Sequence, residues 1–472
     1  MAEGMVEGAA EDMTAQSTAD DHVMGSASAV APWRVVVTGA TGFIGSAVVR
    51  ELLRAAAGAE ADADTRAAAG TEAGAGTYAG AGTYAGTGTQ AAASDMAFPG
   101  VTLPDMASNP GAYQNPVSVL HAPGAEGAAY PRPRSRPASR PLHLRAIARK
   151  PPVTHQPKPP QQSQSQPQSD PATTVEWIAA DLSDPDSLRG VCEGADVLLH
   201  LASDIGRDEE RCELVNVRGT AALVDEAVRA GVGRIVQLST AAVYGAGPHA
   251  GLDVDEVEPA PVSPASRTRL AAERPVLAAG GTVLRPGLVL GAGDRWVVPA
   301  LAELLVRVPA RWDGGRGLLS VVAVDDLARL FARLALAADG IPGGVHHASH
   351  PTPVRNGDLM DTLIGHGVLP QPNAASPHGS DGPDLPGRSD TSSLSGLPDL
   401  TWDACLEKLS STPGRVSERQ FALLASDHWY RSDEVWTAAD CDPGPGPLAR
   451  LVEAADWYRS HLRARATTDR TS

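Results

Sequence analysis

Along the 472 residues, patterned stretches alternate with stretches that carry no period at all. The patterned ones begin with VVVT (35–38), a short apolar run that does not alternate and so suits a strand covered on both faces. LHLRAIARK (142–150), VEWIAADL (175–182), DVLLHLA (196–202) and RIVQLST (234–240) repeat that character. Helical spacing fills the gaps: one helix running to about Arg54, one from Asp184 and one from about Cys212. Strands alternating with helices predict an α/β fold, a doubly wound parallel sheet of Rossmann-like type. The sequence beyond it predicts a smaller C-terminal substrate lobe.

Four segments break the pattern. Residues 1–31 are small, polar and acidic and read as a disordered tail. Residues 55–140 hold the near-repeat AGAGTY (73–78 and 79–84) and the run PRPRSRPASRP (131–141), and read as a flexible insertion. Residues 151–173 are a Pro/Gln spacer, and residues 370–400 are of low complexity. The expected organisation is one α/β domain over 32–345, interrupted by the insertions 55–140 and 151–173, followed by a lobe over 346–472.

Composition narrows the function classes. With 39 basic and 56 acidic residues the formal charge is −17. That argues against nucleic acid or an anionic membrane as partner, since both call for a basic surface. No apolar run approaches a membrane span, and the acidic N-terminus lacks the basic start of a signal peptide, so a cytoplasmic protein is expected. Cys192, Cys212, Cys405 and Cys441 form no C-x-x-C, which predicts reduced thiols and no metal centre. The expected partner is a small molecule.

Chemistry concentrates in RVVVTGATGFIGSAVVREL (34–52). A strand runs into Gly39, Gly42 and Gly45 and a helix starts at once, which lets main-chain N–H groups approach a pyrophosphate. The spacing is G-x-x-G-x-x-G, and other landmarks follow in order: the Asp181-Leu182 pair, HLAS (200–203), NVRGT (216–220), LSTAAVYG (238–245), LRPGLVLG (284–291) and VAVDDLARL (322–330). In these the chain resembles the extended short-chain dehydrogenase/reductase family, also called the NAD-dependent epimerase/dehydratase family. The resemblance implies that Gly39, Gly42, Phe43, Ile44 and Gly45 face the pyrophosphate. It further implies that Asp181 and Leu182 meet the adenine and that Leu201 and Ala202 lie along the cofactor. Asp181 also suits a helix cap ahead of Ser183-Asp184. After the second strand the acid that would bond the ribose of NAD is absent: Ala148 is followed by Arg149 and Lys150. Two cations there favour NADP, with NAD possible, unless they merely open a solvated linker.

The catalytic pattern is incomplete. The family pairs a Ser/Thr with a tyrosine and, four residues on, a lysine. The resemblance puts the Ser/Thr at Thr240, beside Ser239. The segment that should read P-Y-x-x-S-K-L-x-x-E is SPASRTRLAAE (263–273), with Ala265 in the tyrosine place and Arg269 in the lysine place. Only Lys150, Lys158 and Lys408 exist, preceded four residues earlier by Ala146, Thr154 and Ala404, so the chain has no Y-x-x-x-K. A guanidinium stays charged and cannot be the acid, though it can hold ribose hydroxyls or stabilise an oxyanion. Three readings stay open: a tyrosine-less ketoreductase of a specialised, antibiotic-type metabolite, taking its proton from water or substrate; a sugar-nucleotide epimerase; or a non-enzymatic dinucleotide sensor. Dehydration is disfavoured by Ala241 and Ala242, where the family's dehydratases carry Asp-Glu. Among other residues, Tyr244 is a candidate for moving a proton and His200 for a cofactor-side hydrogen bond. Asp204, Arg207, Arg295, Trp296 and Trp312 are candidates for the cleft, Asp325-Asp326 for a helix cap, and Trp457 and Tyr458 for core contacts. Homodimers are common in the family.

Overall fold

The computed structural model describes residues 32–72, 141–152, 173–337, 341, 343–370 and 396–471. The expectations for residues 1–31 and for most of the three low-complexity segments lie outside them. Contacts divide the chain into one unit of Met1–Ala59 with Ser139–Ser472 and a second of Glu60–Ala138.

The first unit is built on seven strands, all paired in parallel. Five are β1 (Trp33–Thr38), β2 (Leu142–Ala148), β3 (Thr173–Ala179), β4 (Val197–His200) and β5 (Arg234–Leu238); the strands Thr282–Arg285 and Gly344–His347 complete the sheet. From one edge the order is Gly344–His347, Thr282–Arg285, β5, β4, β1, β2, β3. Chain order therefore reverses between β1 and β4, the position where doubly wound sheets open a crevice at the strands' carboxyl ends. Register makes the two strands end level, with Thr38 beside His200.

Both faces of the sheet are covered, as the unbroken apolar runs require. Val35 and Val37 join Leu52, Leu144, Leu327 and Phe331 in one core, while Val36 turns the other way to Leu198, Leu223 and Val283. The first cover helix, α1 (Phe43–Glu72), continues well past Arg54 into the stretch read as insertion. The correction has a plain cause: the stretch is rich in alanine, the strongest helix former, and low complexity does not by itself stop a helix.

A third core draws on Leu290, Leu301, Leu304, Trp312, Leu359, Leu363, Phe421 and Tyr458. It begins ahead of residue 346 because the chain leaves the sheet after Thr282–Arg285 and returns to it only at Gly344–His347. Trp312, expected at the cleft, is fully buried in this core. Its Nε1 donates to the Val308 carbonyl at 2.9 Å, and its ring meets Phe421 edge-on. Tyr458 is a core residue whose hydroxyl donates to Asp294 (3.1 Å) and accepts the Gly291 amide (2.8 Å). Asp326 is not a cap. It is buried between Arg329 (2.8 Å) and Arg450 (2.9 Å) and ties the helix Val324–Leu336 to the helix Pro447–Thr471. Among the described residues no helix is long and apolar enough to cross a membrane. The four cysteines are buried and form no disulfide.

Candidate functional site

The crevice is shaped by the absence of side chains. Gly39 adopts φ +70°, and a Cβ there would sit 2.8 Å from the Ala202 amide nitrogen where β4 ends. A Cβ on Gly45 would fall 2.0 Å from the Gly39 carbonyl oxygen, and one on Gly42 3.2 Å from it. The turn is closed by the Gly42 amide donating to Gly39 (2.9 Å). Phe43, Ile44 and Gly45 then open α1. First-turn amides have no acceptor within their own helix, so these main-chain groups are available to an anion at the helix's positive end. The structure thus brings Gly39, Gly42, Phe43, Ile44, Gly45, Leu201 and Ala202 together. A dinucleotide pyrophosphate fits this cradle on its glycines alone.

At the end of β2, Arg149 and Lys150 are exposed, and no carboxylate occupies the position after Ala148. Asp181 accepts the Ser183 amide (2.9 Å) and hydroxyl (2.8 Å) on one oxygen. Partial burial works against its charge, but those bonds, with Arg149 and Arg211 nearby, hold the carboxyl below its usual range. The cap of the following turn is Asp184, not Asp181. Leu182 packs where Gly219 leaves room: a Cβ on Gly219 would lie 2.4 Å from the Leu182 carbonyl oxygen.

The end of β5 separates two neighbours that sequence reading had paired. Thr240 is half-buried and caps the turn Ala241–Tyr244, its Oγ1 accepting the Ala242 amide at 3.2 Å. The hydroxyl proton of Thr240 is therefore left to donate elsewhere. Ser239, 1% exposed, faces inward and donates to Glu273. It cannot meet a substrate, which removes it from the catalytic set. Tyr244 leaves that set as well. It is 2% exposed, takes a hydrogen bond from Arg285 (2.8 Å), and has His347 Nε2 at 2.7 Å. Arginine only donates, so the tyrosine proton must go to His347. The other ring nitrogen then donates to the Arg431 carbonyl at 3.1 Å. Burial pushes the Tyr244 hydroxyl up and draws His347 down to about 4, in keeping with a neutral imidazole.

His200 is likewise interior. Its nitrogens meet Thr38 Oγ1 and Thr220 Oγ1, each at 2.8 Å, and burial, with the field of Arg269, lowers its pKa to about 4. Both nitrogens are used within the fold, so the expected cofactor bond is not available. Asp204 pairs with Arg211 at 2.7 Å, and Trp296 is 64% exposed.

Arg269 sits one turn after Ala265 on the helix Pro264–Ala278, on the same side. Its guanidinium donates to the carbonyls of Ser239 (2.6 Å) and Leu238 (3.2 Å), under the end of β5, while its buried Nε has no partner. Burial lowers its pKa to about 10, so it stays charged near neutrality.

Sequence reading missed Asn216, Glu273, Arg285 and His347. Asn216 exchanges hydrogen bonds with the Asp204 main chain (2.7 and 2.8 Å) and reaches Thr268 Oγ1 (2.9 Å), pinning the loop after β4 to the helix carrying Arg269. Glu273 and Arg285 form a buried ion pair, with Arg285 Nε at 3.0 Å. The signal for Asn216, Glu273 and Arg285 lay in the landmarks NVRGT, LAAE and LRPG, where polar residues recur inside apolar surroundings; His347 lies in none of them.

Comparison with known proteins follows this geometry. Residues 144–346 match the NAD dependent epimerase/dehydratase family. The match covers under half of the chain. The chain is 30% identical over 205 residues to a 2-alkyl-3-oxoalkanoate reductase of Stenotrophomonas maltophilia, covering 40% of this chain and 62% of the relative. It is 27% identical over 210 residues to a 3beta-hydroxysteroid-dehydrogenase/decarboxylase of Arabidopsis thaliana, covering 40% of this chain and 37% of the relative. The chain thus spans less than two thirds of either. In fold it is similar to a UDP-glucuronic acid 4-epimerase from Bacillus cereus (15% identity, TM-score 0.50, covering 91% of this chain and 99% of that one).

Proposed function

We propose that the chain is an NAD(P)-dependent oxidoreductase that interconverts a carbonyl and an alcohol on a small carboxylic acid, without the family's tyrosine. The observation that carries this reading is the glycine turn of 39–45 set level with Leu201 and Ala202 at the reversal of strand order, two strands from Thr240. Bound there, a reduced nicotinamide dinucleotide supplies a hydride. Arg149 and Lys150, exposed where an NAD-selecting acid would stand, favour the phosphorylated cofactor NADPH.

The chain's own residues supply the rest. Thr240 donates a hydrogen bond from its free hydroxyl to the substrate oxygen and orients it. Arg269 lends positive charge to the end of β5, where negative charge grows on that oxygen during reduction. Ala265 has no proton to give, so the oxygen takes its proton from water. Losing a positioned acid costs about 10²–10⁴-fold, which leaves room for turnover by orientation and electrostatics. Ala241 and Ala242 provide no acid for elimination.

The names of two relatives support the substrate class. One reduces a 3-oxoalkanoate; the other couples a hydroxysteroid dehydrogenase to a decarboxylase. Each joins redox chemistry at an oxygen to a carboxyl group. The test is to supply the full chain with NADPH and a series of 3-oxo acids and follow cofactor oxidation. Turnover that Thr240→Val reduces supports the reading. NADPH binding with no turnover of any 3-oxo acid or simple ketone overturns it in favour of a sensor.

A further inference from the structure

The main chain beside the glycine turn is gripped at three points. It is the segment His200–Asp204, where β4 ends. Ala202 lies so close to the turn that a Cβ on Gly39 would sit 2.8 Å from its nitrogen. In the middle of the segment, Thr38 Oγ1 accepts the amides of Leu201 (3.2 Å) and Ala202 (3.4 Å). At its far end, Asn216 exchanges hydrogen bonds with the Asp204 main chain. At its near end, the His200 ring is held between two hydroxyls, Thr38 at Nδ1 and Thr220 at Nε2. Asn216 and Thr220 come from one run of helix. The π-helical turn Glu213–Arg218 carries the first, and the helix Gly219–Arg229 the second. Such π turns are rare and recur at functional sites.

Counting protons fixes the direction of each bond. A threonine oxygen has two lone pairs. On Thr38 both are taken by the Leu201 and Ala202 amides, so its own proton goes to His200 Nδ1. The neutral ring then carries its proton on Nε2 and donates it to Thr220 Oγ1. The other tautomer would aim a third donor at Thr38 and leave the Thr38 proton without an acceptor among the described residues. Thr38, His200 and Thr220 are all buried, so water does not stand in for a lost partner.

We infer that Thr38 and His200 are positioning residues for the cofactor. His200, with its proton fixed on Nε2, orients the Thr38 hydroxyl so that its lone pairs hold the Leu201 and Ala202 amides against the glycine turn. That hold sets the width of the crevice. Both residues act through the main chain, and the inference rests on the dinucleotide-binding reading above.

The test is calorimetric titration of the full chain with NADPH, for the native protein, Thr38→Val and Thr38→Ser, alongside urea unfolding of each. Valine keeps the shape of threonine and loses the hydroxyl; serine keeps the hydroxyl. Thr38→Val is expected to bind NADPH at least about fivefold more weakly than the native chain, and Thr38→Ser to stay within about twofold of it. Native affinity in a folded Thr38→Val, whatever its stability, would make the hydroxyl merely structural and overturn the inference. Nitrogen NMR of the native chain labelled at histidine needs no folded variant at position 38. With the His200 signals assigned from their loss in His200→Gln, it should show the ring protonated at Nε2, and protonation at Nδ1 would also overturn the inference. Binding of neither NADPH nor NADH by the native chain sinks the cofactor reading and the inference with it. Native binding that Thr38→Val leaves unchanged sinks the inference alone.

Discussion

Gly45→Ala is the sharpest perturbation of the cofactor cradle. In an ordinary helix this change is stabilising, since alanine exceeds glycine in helix propensity by about 1 kcal/mol. Here the new Cβ would lie 2.0 Å from the Gly39 carbonyl oxygen and 2.7 Å from its carbonyl carbon. Carbon and oxygen in contact sit about 3.3–3.6 Å apart, so turn and helix must separate by more than an ångström. That movement takes the amides of Phe43–Gly45 away from their places. Overpacking of this kind costs roughly 1–3 kcal/mol of stability. Each charge-assisted hydrogen bond lost to the pyrophosphate costs a further 1.5–3 kcal/mol or so of binding, about tenfold to two-hundredfold in Kd. The assay is NADPH titration together with urea unfolding, for Gly45→Ala and Gly42→Ala side by side. Gly42, whose Cβ would be 3.2 Å from the same oxygen, should show the milder loss. A Gly45→Ala variant that is more stable than the parent and binds NADPH equally would refute the reasoning.

Glu273→Gln leaves the Arg285 guanidinium buried without its counter-ion and should cost about 3–5 kcal/mol in urea unfolding; a loss below about 1 kcal/mol would mean the pair is hydrated. Thr240→Val should lower kcat well below the parent's, while Ala265→Tyr need not raise it, because no lysine stands at 269 to lower the new hydroxyl's pKa; steady-state kinetics on both variants decides this. His200 and His347 stay neutral down to about 4 in the fold, against 6.5 for an ordinary histidine. The unfolded chain therefore binds more protons between those values, and stability present above pH 6.5 is lost as pH falls toward 4, at up to about 1.4 kcal/mol per unit for each ring. Urea midpoints measured at steps from pH 7 to pH 5 check it, and a flat profile would mean the rings are not sealed from water.

Much of this was legible because backbone needs dictate residue type. Only glycine fits positions 39 and 45, so the turn declared itself, and the two-sided apolar strands declared the parallel sheet. Side-chain direction was less legible. Ser239 and Thr240 are adjacent hydroxyls that differ only in which way the end of β5 points them, and the buried Glu273 that claims Ser239 lies thirty-four residues on. Trp312 looked like a cleft residue for want of any sign that a third core starts at Leu290. The alanine-rich extension of α1 was masked by its low complexity. Arg269 was visible as a substitution, but its hold on the Ser239 and Leu238 carbonyls is a property of three dimensions.

The most direct measurement is calorimetric titration of the purified chain with NADPH and, separately, NADH. The account predicts binding of both at one site per chain, NADPH the tighter, with the gap closed by replacing Arg149 and Lys150 with alanine. Binding of neither nucleotide would contradict the central claim that the Gly39–Gly45 turn is a working dinucleotide cradle.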